Sequence, residues 1–145
     1  MEKEFLQYTE SLELKELGFD EECLGVWICK IKELHIGLDS LPYNNKNSKL
    51  KKVFEGDSNF ISAPTYSQAF RWFEDNHQLY PAVVTDQTSY PKYAFEIASF
   101  FGNPKDLTEK EWGWNEMVLS RSLYRTKTEA ELECLKKLIE IVKQK

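Results

Sequence analysis

The chain has 145 residues, of which 41% are hydrophobic and 30% are charged, and its net charge is −5. Its length suits one ordinary domain, its composition argues against a disordered chain, and no apolar run approaches the roughly 20 residues that cross a bilayer. The N-terminus lacks the basic start and the apolar run of a secretory signal. We therefore expect a single cytoplasmic domain over residues 1–145 with no membrane partner.

The charges are unevenly distributed along the chain. Residues 1–22 contain eight acids and two lysines, whereas Lys46, Lys49, Lys51 and Lys52 lie close together. A protein that binds duplex nucleic acid normally presents a broader basic face. The pattern therefore argues against a duplex partner.

The three cysteines are an odd number and lack paired CxxC spacing. This pattern disfavours both a disulfide framework and a zinc site, and it predicts buried free thiols. We expect no metal and no cofactor.

The first predicted element is a helix from Tyr8 to Leu17. Thr9 or Ser11 can cap its start, and Gly18 suits the left-handed position just after its end. The phenylalanine that follows Gly18 is then expected to fold back onto Leu14 in a Schellman ending.

A strand and an irregular insertion follow. Leu24 to Ile36 is rich in Val, Ile and Trp with period-two alternation, which predicts one strand, central in its sheet because both faces are apolar at its start. From Gly37 to Ser62 turn-forming residues follow in quick succession, which predicts an insertion. Leu50 to Phe54 is expected to form a strand within it, as part of a hairpin with a lysine-rich tip or edge.

A second helix is predicted from Thr65, which forms a capping-box pattern with Gln68. The helix is expected to end over Asp75 to His77. Its core-facing stripe has helical spacing and consists of Tyr66, Ala69, Phe70 and Phe73.

The next segment reads as a hairpin and a second insertion. Leu79 to Thr85 and Lys92 to Phe101 are predicted strands, and the turn at Asp86 to Pro91 is too short for a crossover, so the pair is antiparallel. Gly102 to Ser122 is predicted to be an insertion with a helical turn. Met117 to Tyr124 is expected to return to the sheet as an edge strand.

The chain ends in an amphipathic helix, with its start predicted at a capping box of Thr128 and Glu131. The order of elements predicts an α+β fold, with an antiparallel sheet of about four to five strands and helices packed on one face. Irregular insertions at about residues 37–62 and 102–122 are expected to interrupt the domain.

Three blocks of the chain resemble a known group of sequences. The segment Ala63 to Tyr80, centred on Gln68-Ala69-Phe70-Arg71-Trp72-Phe73, is similar to a recurrent segment of an uncharacterised family of small proteins from Bacteroidetes-type bacteria and their phages. In that family the segment is likewise followed by a strand and a closing helix like residues 128–139, and the opening residues 12–20 look similar too. The resemblance implies one compact domain and a phage or mobile-element setting, and it carries no catalytic residue.

Groups that could perform catalysis are few. His35 and His77 are the only histidines, and His77 falls at a helix end, where an imidazole stabilises terminal carbonyls more often than it acts as a base. No GxSxG, HExxH, GxxxxGK or GxGxxG motif occurs. The sequence therefore predicts that the protein is not an enzyme.

Binding is better supported by the residue types. Aromatic residues make up 14% of the chain, and rings in turn-like segments can stack on bases or anchor a protein interface. If Met117 to Arg125 is extended, Arg121 and Arg125 project to the same face, where they could hold phosphates. The alternative is a purely structural role, in which Trp112 and Trp114 cover one end of the core and the arginines pair with acidic residues. The candidate ligand-binding residues are Arg71, Trp72, Trp112, Trp114, Arg121, Arg125, Lys49 and Lys51.

These residues lead to one hypothesis and two alternatives. In the phage setting that the resemblance implies, the protein is a small non-catalytic binder that sequesters a nucleotide-type, anionic signal of host immunity. The alternative is a protein-protein interaction module or inhibitor of a host protein. A second alternative is a protein with no small-molecule ligand, and assembly as a homo-oligomer is left open.

Overall fold

The computed structural model describes residues 2–41, 60–86, 92–101, 113–120 and 122–145, with side chains at 2–37, 60–86, 92–99, 117–120 and 122–145. The chain divides into two units, Met1–Gln68 (unit 1) and Ala69–Lys145 (unit 2). After a short 3-10 helix at Glu2–Glu4, the elements in chain order are α1 (Tyr8–Glu16), β1 (Cys23–Ile28), β2 (Glu33–Leu41), β3 (Phe60–Ala63), α2 (Tyr66–His77), β4 (Leu79–Asp86), β5 (Lys92–Phe101), β6 (Gly113–Leu119) and α3 (Lys127–Lys143).

The predicted α+β class is confirmed, but the predicted single sheet of four to five strands is wrong. The described strands form two antiparallel sheets of three strands each, in the orders β2-β1-β3 and β4-β5-β6. Helix α1 packs on β3, and α3 packs on β5 and β4. Each sheet lies within one unit, the first in unit 1 and the second in unit 2.

The prediction of one strand from Leu24 to Ile36 is wrong in its extent. The chain turns back between β1 and β2, and Lys32 takes the left-handed conformation there with φ of 52°. The expected central position is correct for β1, which pairs with β2 on one side and β3 on the other. Sequence periodicity continues through the turn, which is why it suggested one strand.

The end of α1 is the predicted Schellman motif. Gly18 has φ of 98°, the Phe19 N–H donates to the Leu14 carbonyl at 3.0 Å, and both of these apolar side chains are buried. The predicted caps at Thr9 and Ser11 are wrong because the helix begins at Tyr8 and contains them. Ser11 Oγ instead donates to the Leu6 carbonyl at 3.4 Å.

The N-terminal segment lies against β1 and β3. Phe5 forms an antiparallel bridge with Thr65, and the Leu6 N–H donates to the Pro64 carbonyl at 2.9 Å. A Cβ at Gly25 would lie 2.6 Å from the Ala63 carbonyl oxygen and 2.7 Å from Phe5 Cδ1. Only glycine allows this close approach.

The two predicted insertions are partly regular. Residues 37–41 belong to β2, residues 60–62 to β3, and residues 113–119 to β6. The predicted strand at Leu50 to Phe54, its lysine-rich tip and the predicted helical turn lie outside the described residues.

Helix α2 begins as predicted, since Thr65 Oγ1 accepts a hydrogen bond from the Gln68 N–H at 3.3 Å. The Gln68 side chain donates to the Glu22 carbonyl at 2.6 Å. The helix ends at His77, and Gln78 follows in the left-handed conformation with φ of 54°.

The buried face of α2 differs from the predicted stripe in two positions, 70 and 72. Tyr66, Ala69 and Phe73 are buried as expected, but Phe70 is only half-buried. Trp72, which lies outside the predicted stripe, is 4% exposed and therefore belongs to the buried face. Three of these positions, 69, 72 and 73, follow the i, i+3, i+4 spacing of one helix face.

In unit 2 the predicted hairpin of β4 and β5 is confirmed, and β6 adds to β5 antiparallel. Helix α3 buries Ala130, Cys134, Leu135, Leu138 and Ile139. Its cap is Thr126 rather than the predicted Thr128. Thr126 Oγ1 accepts from the Glu129 N–H at 3.2 Å, and Glu129 Oε2 accepts from the Arg125 N–H at 3.1 Å. Within the described part of the chain, no helix is long and apolar enough to cross a membrane.

Candidate functional site

A groove of about 720 Å³ lies between β6 and α3 in unit 2. It exists because α3 packs on β5 and β4, while β6 stands at the edge of the sheet beyond the helix. Residues of apolar, aromatic and charged type line it, some of them through their backbone: Phe95, Met117, Val118, Leu119, Ser120, Tyr124, Glu133, Lys136, Lys137 and Glu140.

Strand register decides which residues form the floor of the groove. Val118 lies opposite Ile97 on β5, so it points to the same side of the sheet as Ile97, which is buried. Ser120 continues this side beyond the strand, where its N–H donates to the Phe95 carbonyl and its Oγ accepts from the Phe95 N–H. The floor is therefore held by backbone hydrogen bonds.

Tyr124 supplies an aromatic wall. Its backbone exchanges two hydrogen bonds with Tyr93, at 2.9 and 2.7 Å, and its ring is stacked on Phe95 with centroids 6.2 Å apart and an interplanar angle of 16°. Burial, and next the charge of Glu133, raise the pKa of the Tyr124 hydroxyl, so it is a neutral hydrogen-bonding group at physiological pH. The ring is fixed before any ligand arrives.

The opposite wall is a charged stripe on α3. Lys136 Nζ lies 2.8 Å from Glu133 Oε1, and Lys137 Nζ lies 2.9 Å from Glu140 Oε1. The hydrogen bond from Lys137 lowers the pKa of Glu140, which keeps this carboxylate ionised. The wall thus presents two ammonium groups and two carboxylates, so a ligand can contact groups of either charge.

The residues predicted from the sequence are dispersed. Trp72 packs edge-on against Phe73 and His77, with centroids 5.1 and 4.9 Å away. Arg71 is exposed on α2 near Glu74; burial, and next the charge of Asp75, raise the pKa of Glu74, and Arg71 opposes this shift. Neither residue lines the groove.

Arg125 is the predicted residue nearest the groove in sequence, since it directly follows Tyr124. Its side chain is exposed, and no carboxylate of the described residues lies within ion-pair distance of its guanidinium. The strand β6 ends at Leu119, so the extended strand from Met117 to Arg125 that would align Arg121 with Arg125 does not form. Trp114 has its backbone in β6, opposite Phe100. Its side chain, and the residues Lys49, Lys51, Trp112 and Arg121, lie outside the described parts of the chain.

Sequence reasoning missed the groove itself. One signal was present: Glu133, Lys136, Lys137 and Glu140 stand at i, i+3, i+4 and i+7, so they share one face of a helix. Nothing in the sequence showed that this face would border the uncovered strand of the sheet. Tyr124 gave no signal because it precedes the helix in a segment without periodicity.

The histidines and cysteines form no further site among the described residues. His35 is exposed and lies 3.5 Å from Glu33, whereas the buried Nε2 of His77 has no hydrogen-bond partner. Cys23 and Cys134 are buried and Cys29 is half-buried. No group of three or more His, Cys, Asp or Glu side chains in the described ranges is arranged to hold a metal ion.

Comparison with protein-family models, with curated proteins and with solved structures finds no match to this chain. Its function must therefore be argued from the groove and its chemistry.

Proposed function

We propose that the protein is a non-catalytic binding protein that takes a nucleotide-type, anionic small molecule into the groove between β6 and α3. The observation that carries the proposal is the placement of the Tyr124 ring beside the groove that Lys136 and Lys137 also line. A planar base can stack on an aromatic ring, and phosphate oxygens accept hydrogen bonds from ammonium groups.

The carboxylates favour a ligand with donors as well as anionic groups. Glu133 and Glu140 accept hydrogen bonds, which the amino groups of a base or the hydroxyls of a ribose can donate. A ligand of phosphates alone would have to overcome both carboxylates without using them. The groove therefore suits a nucleotide better than inorganic phosphate or a polyphosphate.

The resemblance to phage-encoded small proteins suggests the biological role of such binding. A binder without catalytic groups acts by holding its ligand, and a phage protein that holds a signalling nucleotide would lower the concentration available to host immunity. The sequestered signal is the proposed ligand.

Titration calorimetry with a panel of linear and cyclic nucleotides tests the proposal. We expect heat from at least one nucleotide and none from inorganic phosphate. Replacing Tyr124 with Ala is expected to weaken binding roughly tenfold or more, because stacking a base on a ring is worth about 1–3 kcal/mol. Tyr124→Phe keeps the ring and is expected to retain most of the affinity.

A matched pair of lysine variants tests the charged wall. Lys136→Ala and Lys137→Ala should each weaken binding, whereas Lys127→Ala should not. Lys127 lies on the same helix and also forms an ion pair, at 3.4 Å from Glu131, but it does not line the groove. Equal losses from all three variants, or no heat from any nucleotide, would count against the proposal and favour a protein with no small-molecule ligand.

One observation favours a protein partner as a second candidate function. Glu2, Glu4, Glu16, Asp20 and Glu22 are all exposed in unit 1, which gives a protein with a basic surface something to bind. An inhibitor of a host protein would use such a surface. Affinity capture from host extract with wild-type protein and with the double variant Glu16→Lys, Asp20→Lys tests this function, which predicts a captured protein that charge reversal releases.

A further inference from the structure

The outer edge of β6 is open among the described strands. In the sheet order β4-β5-β6, β6 pairs only with β5, so its other edge carries backbone N–H and C=O groups available to a further strand. The strand reads Gly-Trp-Asn-Glu-Met-Val-Leu and has neither proline nor lysine. Proteins commonly protect exposed edges with proline, lysine or other charged residues. The one charged residue of β6, Glu116, precedes the segment Met117–Leu119.

Two apolar side chains on this strand are strongly exposed. Met117 is 51% exposed and Leu119 is 57% exposed. They are two residues apart and therefore project to the same face of the sheet, opposite to the face that Val118 and α3 share. Large apolar side chains beside an open edge mark it as an interaction surface.

We propose that β6 pairs antiparallel with β6 of a second copy of this chain, around a two-fold axis at Val118. Pairing at this register places Met117 opposite Leu119 of the second copy, and Leu119 opposite Met117. All four exposed side chains then meet in one apolar cluster, and the two sheets join into one of six strands.

Neighbouring registers match less well. An axis at Met117 would place Leu119 opposite Asn115, and an axis at Leu119 would place Met117 opposite a position beyond the end of β6. Only the axis at Val118 gives both exposed apolar residues an apolar partner. This self-complementarity is what an isologous interface requires, and it identifies a second copy as the occupant.

The same pairing completes the groove. A two-fold axis perpendicular to the sheet places both α3 helices on one face, each over β5 and β4 of its own copy. Three strand spacings separate the two β5 strands, or about 14 Å, whereas packed helices lie about 8 to 10 Å apart. The helices therefore do not close the gap, and the two grooves open into one cavity with an α3 wall on each side.

The charge of the wall permits this arrangement. Each α3 contributes Glu133, Lys136, Lys137 and Glu140, which sum to zero, so identical walls face each other without net repulsion. The dimer adds a second copy to the binding site of the proposed function. Only the statement that the shared cavity is the ligand site rests on that function. In the dimer the second copy supplies part of that site.

Light scattering on size-exclusion chromatography tests the dimer first. We expect wild-type protein at micromolar concentration to have twice the chain mass and Leu119→Lys to have the mass of one chain, because a lysine in the apolar cluster blocks pairing. Leu123→Lys is the matched control, since Leu123 is 46% exposed but lies outside β6, and it should remain a dimer. A monomeric wild type would overturn the proposal, as would a dimer that Leu119→Lys leaves intact.

Disulfide cross-linking tests the register in a Cys29→Ser background. Val118→Cys should cross-link to itself because it lies on the axis. Met117→Cys and Leu119→Cys should cross-link poorly alone and efficiently when the two variants are mixed. A reversed pattern would overturn the register even if the protein is a dimer, and circular dichroism checks that each variant is folded.

The two proposals fail separately. A dimer with the expected cross-links but no nucleotide heat would leave this inference standing and overturn the proposed function. A monomer that binds nucleotides through Tyr124 would leave the proposed function standing and overturn this inference.

Discussion

His77 packs its imidazole against the indole of Trp72, with ring centroids 4.9 Å apart and an interplanar angle of 68°. The buried Nε2 of the imidazole has no hydrogen-bond partner among the residues that the structure describes. Burial, followed by the charge of Lys145, lowers the pKa of His77. The folded protein therefore favours the neutral imidazole. Protonation places an unpaired charge among aromatic rings.

This relationship predicts a pH dependence of stability. Because the pKa of His77 is lower in the folded than in the unfolded chain, its contribution is fully present above the unfolded pKa of about 6.5 and is lost as the pH falls below it. In denaturant unfolding between roughly pH 7.5 and pH 5, the window around that pKa, the free energy of unfolding of His77→Phe should fall less steeply than that of wild type. His35→Gln, at an exposed position, should keep the wild-type slope. Parallel curves for wild type and His77→Phe would contradict the prediction.

Gly25 should be the least replaceable glycine among those whose surroundings are described. The methyl group of Gly25→Ala would meet the Ala63 carbonyl oxygen at 2.6 Å, and overpacking of this kind costs about 1–3 kcal/mol. Gly18→Ala is the comparison, because its methyl group would meet no atom within 4 Å. The only cost is the strain of an alanine at φ of 98°, which is about 1 kcal/mol of unfolding free energy. Chemical denaturation should show the larger loss for Gly25→Ala. The reverse order would mean that the Phe5 segment moves away easily.

Cysteine alkylation should be selective in the folded protein. Burial raises the pKa of Cys23 and of Cys134 to about 12, so only about one ten-thousandth of each thiol is ionised at pH near 8. Cys29 is half-buried in the turn after β1. Mass spectrometry after brief treatment with iodoacetamide should find modification first at Cys29, and at all three cysteines in guanidinium chloride. Early modification of Cys134 would show that α3 opens readily.

The cap of α3 can be tested against a neighbouring threonine. Thr126→Ala removes the oxygen that accepts from the Glu129 N–H and should cost about 1 kcal/mol of unfolding free energy. Thr128 is exposed inside the helix, so Thr128→Ala should change stability by less than about 0.5 kcal/mol. Thermal unfolding followed by circular dichroism distinguishes the two. A larger effect at Thr128 would mean that the helix starts two residues later.

Local rules predicted the parts of the fold that local chemistry decides. Gly18 ends α1 because only the left-handed conformation closes the Schellman motif, and Thr65 begins α2 because its hydroxyl accepts a helix N–H. The spacing Thr-x-x-Glu occurs at Thr126 and again at Thr128, and the prediction chose Thr128, whereas Thr126 is the cap. The two positions are two residues apart, so the predicted start of the helix was close to the observed one.

The rest depended on tertiary structure. The turn between β1 and β2 contains no glycine, proline, asparagine or aspartate. Lys32 adopts a left-handed conformation there, which lysine rarely does and which the sequence therefore did not predict. Helical spacing allows either Phe70 or Trp72 beside Ala69 and Phe73 on one face, and only the packing around α2 decides that Trp72 is the one that is buried. The groove exists because α3 covers β5 and β4 and leaves β6 uncovered, a choice made by packing between distant segments.

The pairing of the N-terminal segment with the end of β3 has a consequence for the order of events during synthesis. Phe5 and Leu6 are made before their backbone partners, Thr65 and Pro64. Unit 1 cannot close over Gly25 until these later residues have left the ribosome, because contacts between distant segments must await both. The segment at Phe5 and Leu6 therefore waits without these two partners while β1, β2 and β3 are being made.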